Sequence, residues 1–139
     1  MDPFSKIKKM KTLLVDDDKL IRDSLSMAFS TKGCFLMAVG SAEEGLCAVQ
    51  ENEFDIIISD FSLPGMNGID FFKQAVIDQT DSMNVLITGN VSSKNLLKNN
   101  MAKVHDLVLK PFSVTELAHS IAALTESRKQ NRQNLNRIL

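Results

Sequence analysis

Short apolar runs in this 139-residue sequence end in side chains that can bind metal or transfer a phosphoryl group. In chain order these side chains are Asp16, Asp17, Asp18, Asp60, Thr88 and Lys110. Carboxylates that lie close together repel one another and raise each other's pKa unless a cation lies between them. Oxygen ligands without histidine or cysteine favour a hard ion, and a site with two or three protein ligands favours Mg²⁺ over Ca²⁺.

The same residue types suit phosphoryl transfer. An aspartate can act as a nucleophile and form an aspartyl phosphate. Phosphoryl transfer needs charge neutralisation more than acid–base machinery, and Mg²⁺ together with the ammonium of Lys110 could supply it. No serine, histidine or cysteine triad competes for the role. The residue types therefore favour an aspartate nucleophile beside a magnesium site.

Five strand-length apolar runs alternate with helix-length amphipathic segments, which is the pattern of a parallel α/β sheet. The predicted strands are residues 12–15, 35–39, 55–59, 84–88 and 106–109. Several are apolar at successive positions, as expected of strands that helices cover on both faces. Ligands of such sheets bind at the carboxyl ends of the strands. We therefore expect the carboxylates, the Thr88 hydroxyl and the Lys110 ammonium to converge at one edge.

Helices are predicted between the strands and after the last one. The first begins at Asp18, which we interpret as its N-cap, and ends before Gly33. Capping boxes at residues 41–44 and 113–116 predict the starts of the second and last helices. A third helix follows the turn at residues 63–68, and a fourth, at 92–102, has few apolar residues and is expected to be loosely held. Beyond Leu124 the apolar pattern lapses, which leaves an extended helix end or a linker.

The composition is that of an ordinary globular chain of about one domain, with 44% hydrophobic and 24% charged residues. A net charge of -1 gives no support for nucleic-acid or anionic-membrane binding. No apolar run approaches the roughly 20 residues that span a bilayer. The lysine-rich start has no secretory pattern, so a cytoplasmic location is predicted. Cys34 and Cys47 form no CxxC pair, and both are interpreted as small core residues.

Five ordered motifs carry a family resemblance. They are residues 13–18 (Leu-Leu-Val-Asp-Asp-Asp), 55–60 (Asp-Ile-Ile-Ile-Ser-Asp), 63–68 (Leu-Pro-Gly-Met-Asn-Gly), 85–89 (Val-Leu-Ile-Thr-Gly) and 109–112 (Leu-Lys-Pro-Phe). In this order and spacing they resemble the receiver domain of bacterial two-component response regulators. The resemblance implies a single doubly wound, five-stranded parallel sheet with flavodoxin-like strand order 2-1-3-4-5. Residues 11–124 would form the receiver domain, 1–10 a leader, and 125–139 a polar and basic extension or linker.

The resemblance also implies site roles. Asp60 would accept a phosphoryl group from a sensor histidine kinase or a histidine phosphotransfer protein. Asp17 and Asp60 would bind Mg²⁺ directly with the backbone carbonyl of Ser62, and Asp16 would act largely through water. Lys110 would pair with the phosphoryl oxygens. The Lys110-Pro111 peptide bond is expected to be cis.

The output implied by the family is a switch and not a chemical product. Phosphorylation would draw Thr88 inward and bias the loops and the fourth helix between two arrangements. Gly89 would leave the site open, and Asn90 would flank it. Leu107 departs from the family pattern, which usually has an aromatic residue there, so movement of Thr88 needs another route of coupling. The implied partners are the phosphodonor and a downstream effector domain or protein, and a homodimer on phosphorylation is left open.

Two alternatives follow from the same acidic residues. In haloacid-dehalogenase-like phosphatases the nucleophile would be Asp16, but Leu20 interrupts that pattern and no acidic pair follows Lys110. That alternative also leaves Asp60 and residues 63–68 unexplained. A structural interaction domain with an inert acidic pocket predicts no phosphorylation and no Mg²⁺-dependent change.

Overall fold

The computed structural model describes residues 2–79, 81–89 and 104–138, and most of its strands form one parallel sheet. The strands are β1 (Lys11–Val15), β2 (Phe35–Val39), β3 (Ile56–Asp60), β4 (Ser62–Leu63), β5 (Met66–Asn67), β6 (Met83–Thr88) and β7 (Asp106–Leu109). The five-stranded sheet has the order β2-β1-β3-β6-β7, and β4 and β5 form a separate antiparallel pair. Numbered along the chain, the five strands have the predicted order 2-1-3-4-5.

Helices pack on both faces of this sheet, which confirms the doubly wound fold. They are α1 (Lys19–Thr31), α2 (Ala42–Glu51), α3 (Gly68–Ala75) and a C-terminal helix (Val114–Ile138), and a 3-10 helix spans Pro3–Lys6. The predicted fourth helix at 92–102 and Asn90 lie outside the described residues. No helix in the described ranges is both long enough and apolar enough to cross a membrane.

Successive side chains of the central strands enter two different hydrophobic clusters. Leu14 and Ile58 belong to the cluster that α1 and the C-terminal helix cover. Their neighbours Leu13 and Ile57 belong to the cluster that α2 and α3 cover. All four side chains have 0% exposure, so the continuous apolar runs reflect burial on both faces.

Local hydrogen bonds explain where the helices begin. The Asp18 carboxylate accepts from the N–H of Leu20 at 2.9 Å, which makes it the N-cap of α1 as predicted. Ser41 and Ser113 accept from the N–H groups three residues later, at 3.1 and 3.0 Å. Gly33 follows α1 with φ of +71°, a left-handed conformation that glycine adopts readily.

Both termini contain more ordered structure than the apolar pattern indicates. The C-terminal helix continues without a break to Ile138, so the extended-helix alternative is correct. At the other end, Phe4 and Ile7 are buried in the core, where the Phe4 ring contacts Phe29 edge-on at 5.4 Å between centroids. The ammonium of Lys6 also pairs with Glu126 at 2.9 Å.

The two cysteines differ in environment. Cys34 is buried in the core, as predicted. Cys47 is exposed, so its assignment to the core is wrong. The buried face of α2 is formed by other small residues, including Ala48 and Val49.

A hydrogen bond at the edge of the sheet depends on the protonation of His105. The backbone N–H of Asn84 donates to Nδ1 of His105 at 2.9 Å, so Nδ1 must be unprotonated. Partial desolvation of the ring, followed by the positive charge of Arg128, lowers the pKa of His105 below its ordinary value of 6.5.

We expect the free energy of unfolding to decrease as the pH falls below about 6.5. The reason is that the folded chain then binds fewer protons at His105 than the unfolded chain does. Urea unfolding between about pH 7.5 and about pH 5 measures this dependence. His105→Asn should remove it, whereas the same substitution at His119, on the C-terminal helix, should preserve it. Equal pH slopes in both variants would contradict the assignment.

Candidate functional site

The carboxyl ends of β1, β3, β6 and β7 meet at one edge of the sheet. Asp16 follows β1, Asp60 ends β3, Thr88 ends β6 and Lys110 follows β7. The register aligns these ends, because Asp60 lies opposite Ile87 and Thr88 lies opposite Leu109. The parallel topology thus brings together side chains that are as far as 94 residues apart in sequence, from Asp16 to Lys110.

Lys110 connects two of the three carboxylates. Its Nζ lies 3.1 Å from Oδ2 of Asp60 and 3.8 Å from Oδ2 of Asp16. Asp16, Asp17 and Asp60 each place one carboxylate oxygen within 4.8 Å of the others. The predicted convergence of these four side chains is therefore present in the structure.

Asp16 carries the strongest electrostatic conflict of the site. Its side chain has 0% exposure, and Oδ1 accepts from the N–H of Asp18 at 2.9 Å. Its Oδ2 is buried and has no hydrogen-bond partner among the residues that the structure describes. Burial raises the pKa of Asp16 and the charge of Asp60 raises it further, against the opposing effects of the Asp18 N–H and of Lys110. A cation beside these oxygens would relieve the conflict.

This donor set fits a hard divalent cation. The three residues offer carboxylate oxygens alone, and Asp17 is exposed, so water can complete a coordination shell. Oδ2 of Asp16 is buried, accepts no hydrogen bond from the described residues and lies 3.8 Å from Lys110 Nζ, which points to an ion more than to a simple salt bridge. Few protein ligands and access to water are typical of Mg²⁺ sites.

The remaining predicted residues surround this cluster at different depths. Thr88 is buried, and its carbonyl accepts from the N–H of Lys110 at 2.8 Å. Gly89 is exposed, and a Cβ at that position would lie 3.9 Å from Cβ of Lys110, an ordinary contact and the one such contact with a described residue. Ser62 is exposed in β4, two residues after Asp60. Leu107 is partly buried against the cluster under α2 and α3.

Gly68 is a site residue that sequence analysis missed. Its N–H donates to the carbonyl of Phe61 at 2.7 Å. A Cβ on Gly68 would lie 2.4 Å from the backbone oxygen of Asp60 and 2.8 Å from Leu86 Cδ1. The start of α3 therefore packs directly against the backbone that carries Asp60. The available signal was a glycine just before an amphipathic helix, which was interpreted only as part of a turn.

A sequence profile described as the response regulator receiver domain matches residues 12–122. The chain belongs to the response regulator receiver domain family. The Lys110-Pro111 bond of this receiver domain is cis, as the resemblance predicted. The match includes every predicted site residue, from Asp16 to Lys110.

Individual relatives agree with this assignment. The two-component response regulator PhoP of Pseudomonas aeruginosa is 34% identical over 116 residues, which are 83% of this chain and 51% of PhoP. The sensory/regulatory protein RpfC of Xanthomonas campestris is 28% identical over 130 residues, or 91% of this chain and 18% of RpfC. The receiver domain thus spans about half or less of these curated relatives.

Solved structures show the same fold. The CheY-like receiver domain protein from Methanospirillum hungatei superposes with a TM-score of 0.80 at 24% identity, covering 88% of this chain and 98% of that one. The Francisella response regulator 1452 receiver domain gives a TM-score of 0.75 at 24% identity, with 87% and 99% coverage. These neighbours show the fold, and the profile match over residues 12–122 makes the chain a signalling domain homologous to those of response regulators.

Proposed function

We propose that Asp60 accepts a phosphoryl group and that the added charge switches the output of this receiver domain. The observation that carries the proposal is the position of Lys110, whose ammonium lies 3.1 Å from an Asp60 oxygen. A carboxylate oxygen of Asp60 would attack phosphorus and form a new P–O bond. The bond from phosphorus to the donor's leaving group would break, and that group would take the bonding electrons.

The acidic cluster supports Mg²⁺ as the cofactor. Asp17 and Asp60 would hold the ion together with the backbone carbonyl of Ser62, and Asp16 would act largely through water. When bound, Mg²⁺ would neutralise the charge that develops on the phosphoryl oxygens. This assignment also accounts for the buried Asp16 oxygen that accepts no hydrogen bond from the described residues.

The chain's own cation and hydroxyl would stabilise the phosphorylated form. Lys110 would transfer its contact from the Asp60 carboxylate to the phosphoryl oxygens. Thr88 would hydrogen-bond the same oxygens, with Gly89 leaving them room and Asn90 flanking the site. Because Lys110 N–H donates to the Thr88 carbonyl at 2.8 Å, movement at one residue is passed to the other.

In this proposal, movement of Thr88 is coupled to the output surface without the aromatic residue that the family usually has at position 107. Leu107 is an aliphatic side chain that packs towards α2 and α3. It has no ring whose rotation could report the position of Thr88. We therefore place the coupling in the backbone of the Thr88 and Lys110 loops, which would act on the fourth helix or on a partner that contacts it.

The partners proposed are a sensor histidine kinase or a histidine phosphotransfer protein as donor, and an effector domain or protein as target. The names of PhoP as a two-component response regulator and of RpfC as a sensory/regulatory protein support this class of pathway. A receiver unit at residues 11–124, with a leader at 1–10 and an extension at 125–139, stays a prediction. A cytoplasmic location and a homodimer on phosphorylation also stay predictions.

Intact-mass measurement of the chain with acetyl phosphate and Mg²⁺ tests the proposal. We expect the addition of one phosphoryl group, which EDTA prevents and hydroxylamine removes, as for an acyl phosphate. Consumption of the donor without an adduct would overturn the proposal in favour of a phosphatase. Neither adduct nor consumption would mean that the acidic pocket is inert.

A further inference from the structure

Arg22 contacts the backbone of the acidic site from α1. Its Nη1 donates a hydrogen bond of 2.9 Å to the carbonyl oxygen of Asp16. Asp16 is held at two other points. Its N–H donates to the Val39 carbonyl at 3.1 Å, and its Oδ1 accepts from the N–H of Asp18 at 2.9 Å. Three of the four polar atoms of Asp16 are thus fixed, and Oδ2 alone lacks a hydrogen bond.

The hydrogen bond from Arg22 also determines how Asp17 is presented. The carbonyl of Asp16 and the N–H of Asp17 belong to one planar peptide unit. A guanidinium that fixes the carbonyl oxygen therefore fixes the direction in which the chain enters Asp17. Asp17 is exposed. Among the described residues, no hydrogen bond to its carboxylate fixes the side chain, so the backbone that leads into Asp17 has to position it.

Gly40, immediately after β2, provides the space that Arg22 occupies. A Cβ on Gly40 would lie 3.2 Å from Nη1 of Arg22 and 3.5 Å from its Cζ. These are the far atoms of a flexible side chain, so a methyl group would shift the guanidinium by a few tenths of an ångström and leave the sheet intact. Gly40 and Arg22 are 18 positions apart, and together they form a support for the β1–α1 loop.

We propose that Arg22 is a positioning residue for the Mg²⁺ site and that Gly40 keeps its guanidinium in place. This inference rests on the proposed function, because it concerns the affinity of the same acidic cluster for the ion. Arg22 acts through the backbone of Asp16 and not as a ligand. The fold does not depend on it, because α1 is anchored to the core by Leu25 and Phe29.

The test measures Mg²⁺ binding without any phosphodonor, by calorimetry and by NMR titration of the backbone amides. Arg22→Gln should weaken Mg²⁺ binding about tenfold, the size of effect expected when a group that orients a metal ligand is removed. Arg22→Lys should recover part of the loss, since it keeps a donor and a charge but not the fork geometry. Gly40→Ala should weaken binding in the same direction while Arg22 is still present.

Lys19→Gln is the matched control. It removes one positive charge from the same helix, and Lys19 pairs only with exposed Asp23, at 2.6 Å, among the described contacts. Its Mg²⁺ affinity should stay within about twofold of the wild type, because an exposed ion pair contributes little. In adduct formation with acetyl phosphate, Arg22→Gln should raise the Mg²⁺ concentration for half-maximal rate more than it lowers the maximal rate.

The outcomes separate this inference from the proposed function. Unchanged Mg²⁺ affinity in Arg22→Gln, or an equal loss in Lys19→Gln, overturns the positioning role while the phosphorylation site stands. A loss of thermal stability without a change in affinity means a structural role only. Failure of the wild-type chain to bind Mg²⁺ overturns the proposed function itself.

Discussion

Asp60→Asn should abolish the phosphoryl adduct completely, whereas Asp18→Asn should leave its yield unchanged. The asparagine fills the same volume as Asp60, which is 6% exposed, so packing is preserved while the nucleophilic oxygen is lost. Asp18 belongs to the same acidic triplet, but its carboxylate caps α1 through the N–H of Leu20. Asparagine caps helices about as well as aspartate does, so this control changes charge without unfolding the helix.

The measurement is intact mass after reaction with acetyl phosphate and Mg²⁺, followed by peptide mapping of the modified residue. Asp16→Asn distinguishes the competing phosphatase chemistry. In the receiver proposal it weakens the reaction through the metal and leaves the label on Asp60. An adduct that persists in Asp60→Asn, or a label on Asp16, would show that the nucleophile is assigned wrongly.

The strands of the sheet could be predicted because they are buried on both faces, whereas their order followed from the resemblance to receiver domains. A strand such as β3, with Ile56, Ile57 and Ile58 all at 0% exposure, leaves a continuous apolar run that few other structures produce. The predicted ends of three strands differ from the observed ends by one residue. β1 begins at Lys11, whose N–H donates to the carboxylate of Asp55 at 2.7 Å, a contact that hydrophobicity does not record.

The termini were harder to predict for a physical reason. Phe4 and Ile7 are buried among core residues, but two apolar side chains among lysines have no periodicity. The outer part of the C-terminal helix is exposed throughout residues 131–137, so nothing in its apolar pattern distinguishes helix from linker. In each case the structure depends on contacts or backbone continuity that local sequence does not encode.

The sequence predicted which side chains share one edge of the sheet, but not the distances between them. Parallel topology alone brings Asp16, Asp60 and Lys110 to one edge. The distances from Lys110 to the two carboxylates depend on side-chain positions that only the packed structure supplies. The supporting residues were missed because their partners are remote or are backbone atoms. Arg22 contacts a carbonyl, and the role of Gly68 is visible only beside the Asp60 oxygen.

Gly68→Ala should decrease the free energy of unfolding by about 3 kcal/mol, at the upper end of what overpacking costs. The added Cβ would lie 2.4 Å from the backbone oxygen of Asp60, and backbone cannot rotate away as a side chain can. Either α3 moves outward, which lengthens the hydrogen bond from the Gly68 N–H to the Phe61 carbonyl, or the end of β3 shifts. We expect the end of β3 to take part of the strain, and this shift moves Asp60 relative to Lys110, so the rate of adduct formation should fall with the stability.

Gly89→Ala is the matched control, because it adds the same methyl group at the same edge of the sheet. There the new Cβ would meet, among the described residues, only Lys110 Cβ at 3.9 Å, an ordinary contact, so the free energy of unfolding should change by less than about 0.5 kcal/mol. Urea unfolding followed by circular dichroism measures both variants. If Gly68→Ala were as stable as Gly89→Ala, the close approach of α3 to Asp60 would be wrong. If Gly68→Ala were destabilised but phosphorylated at the wild-type rate, the contact between α3 and the Asp60 backbone would stabilise the fold without positioning the phosphoacceptor.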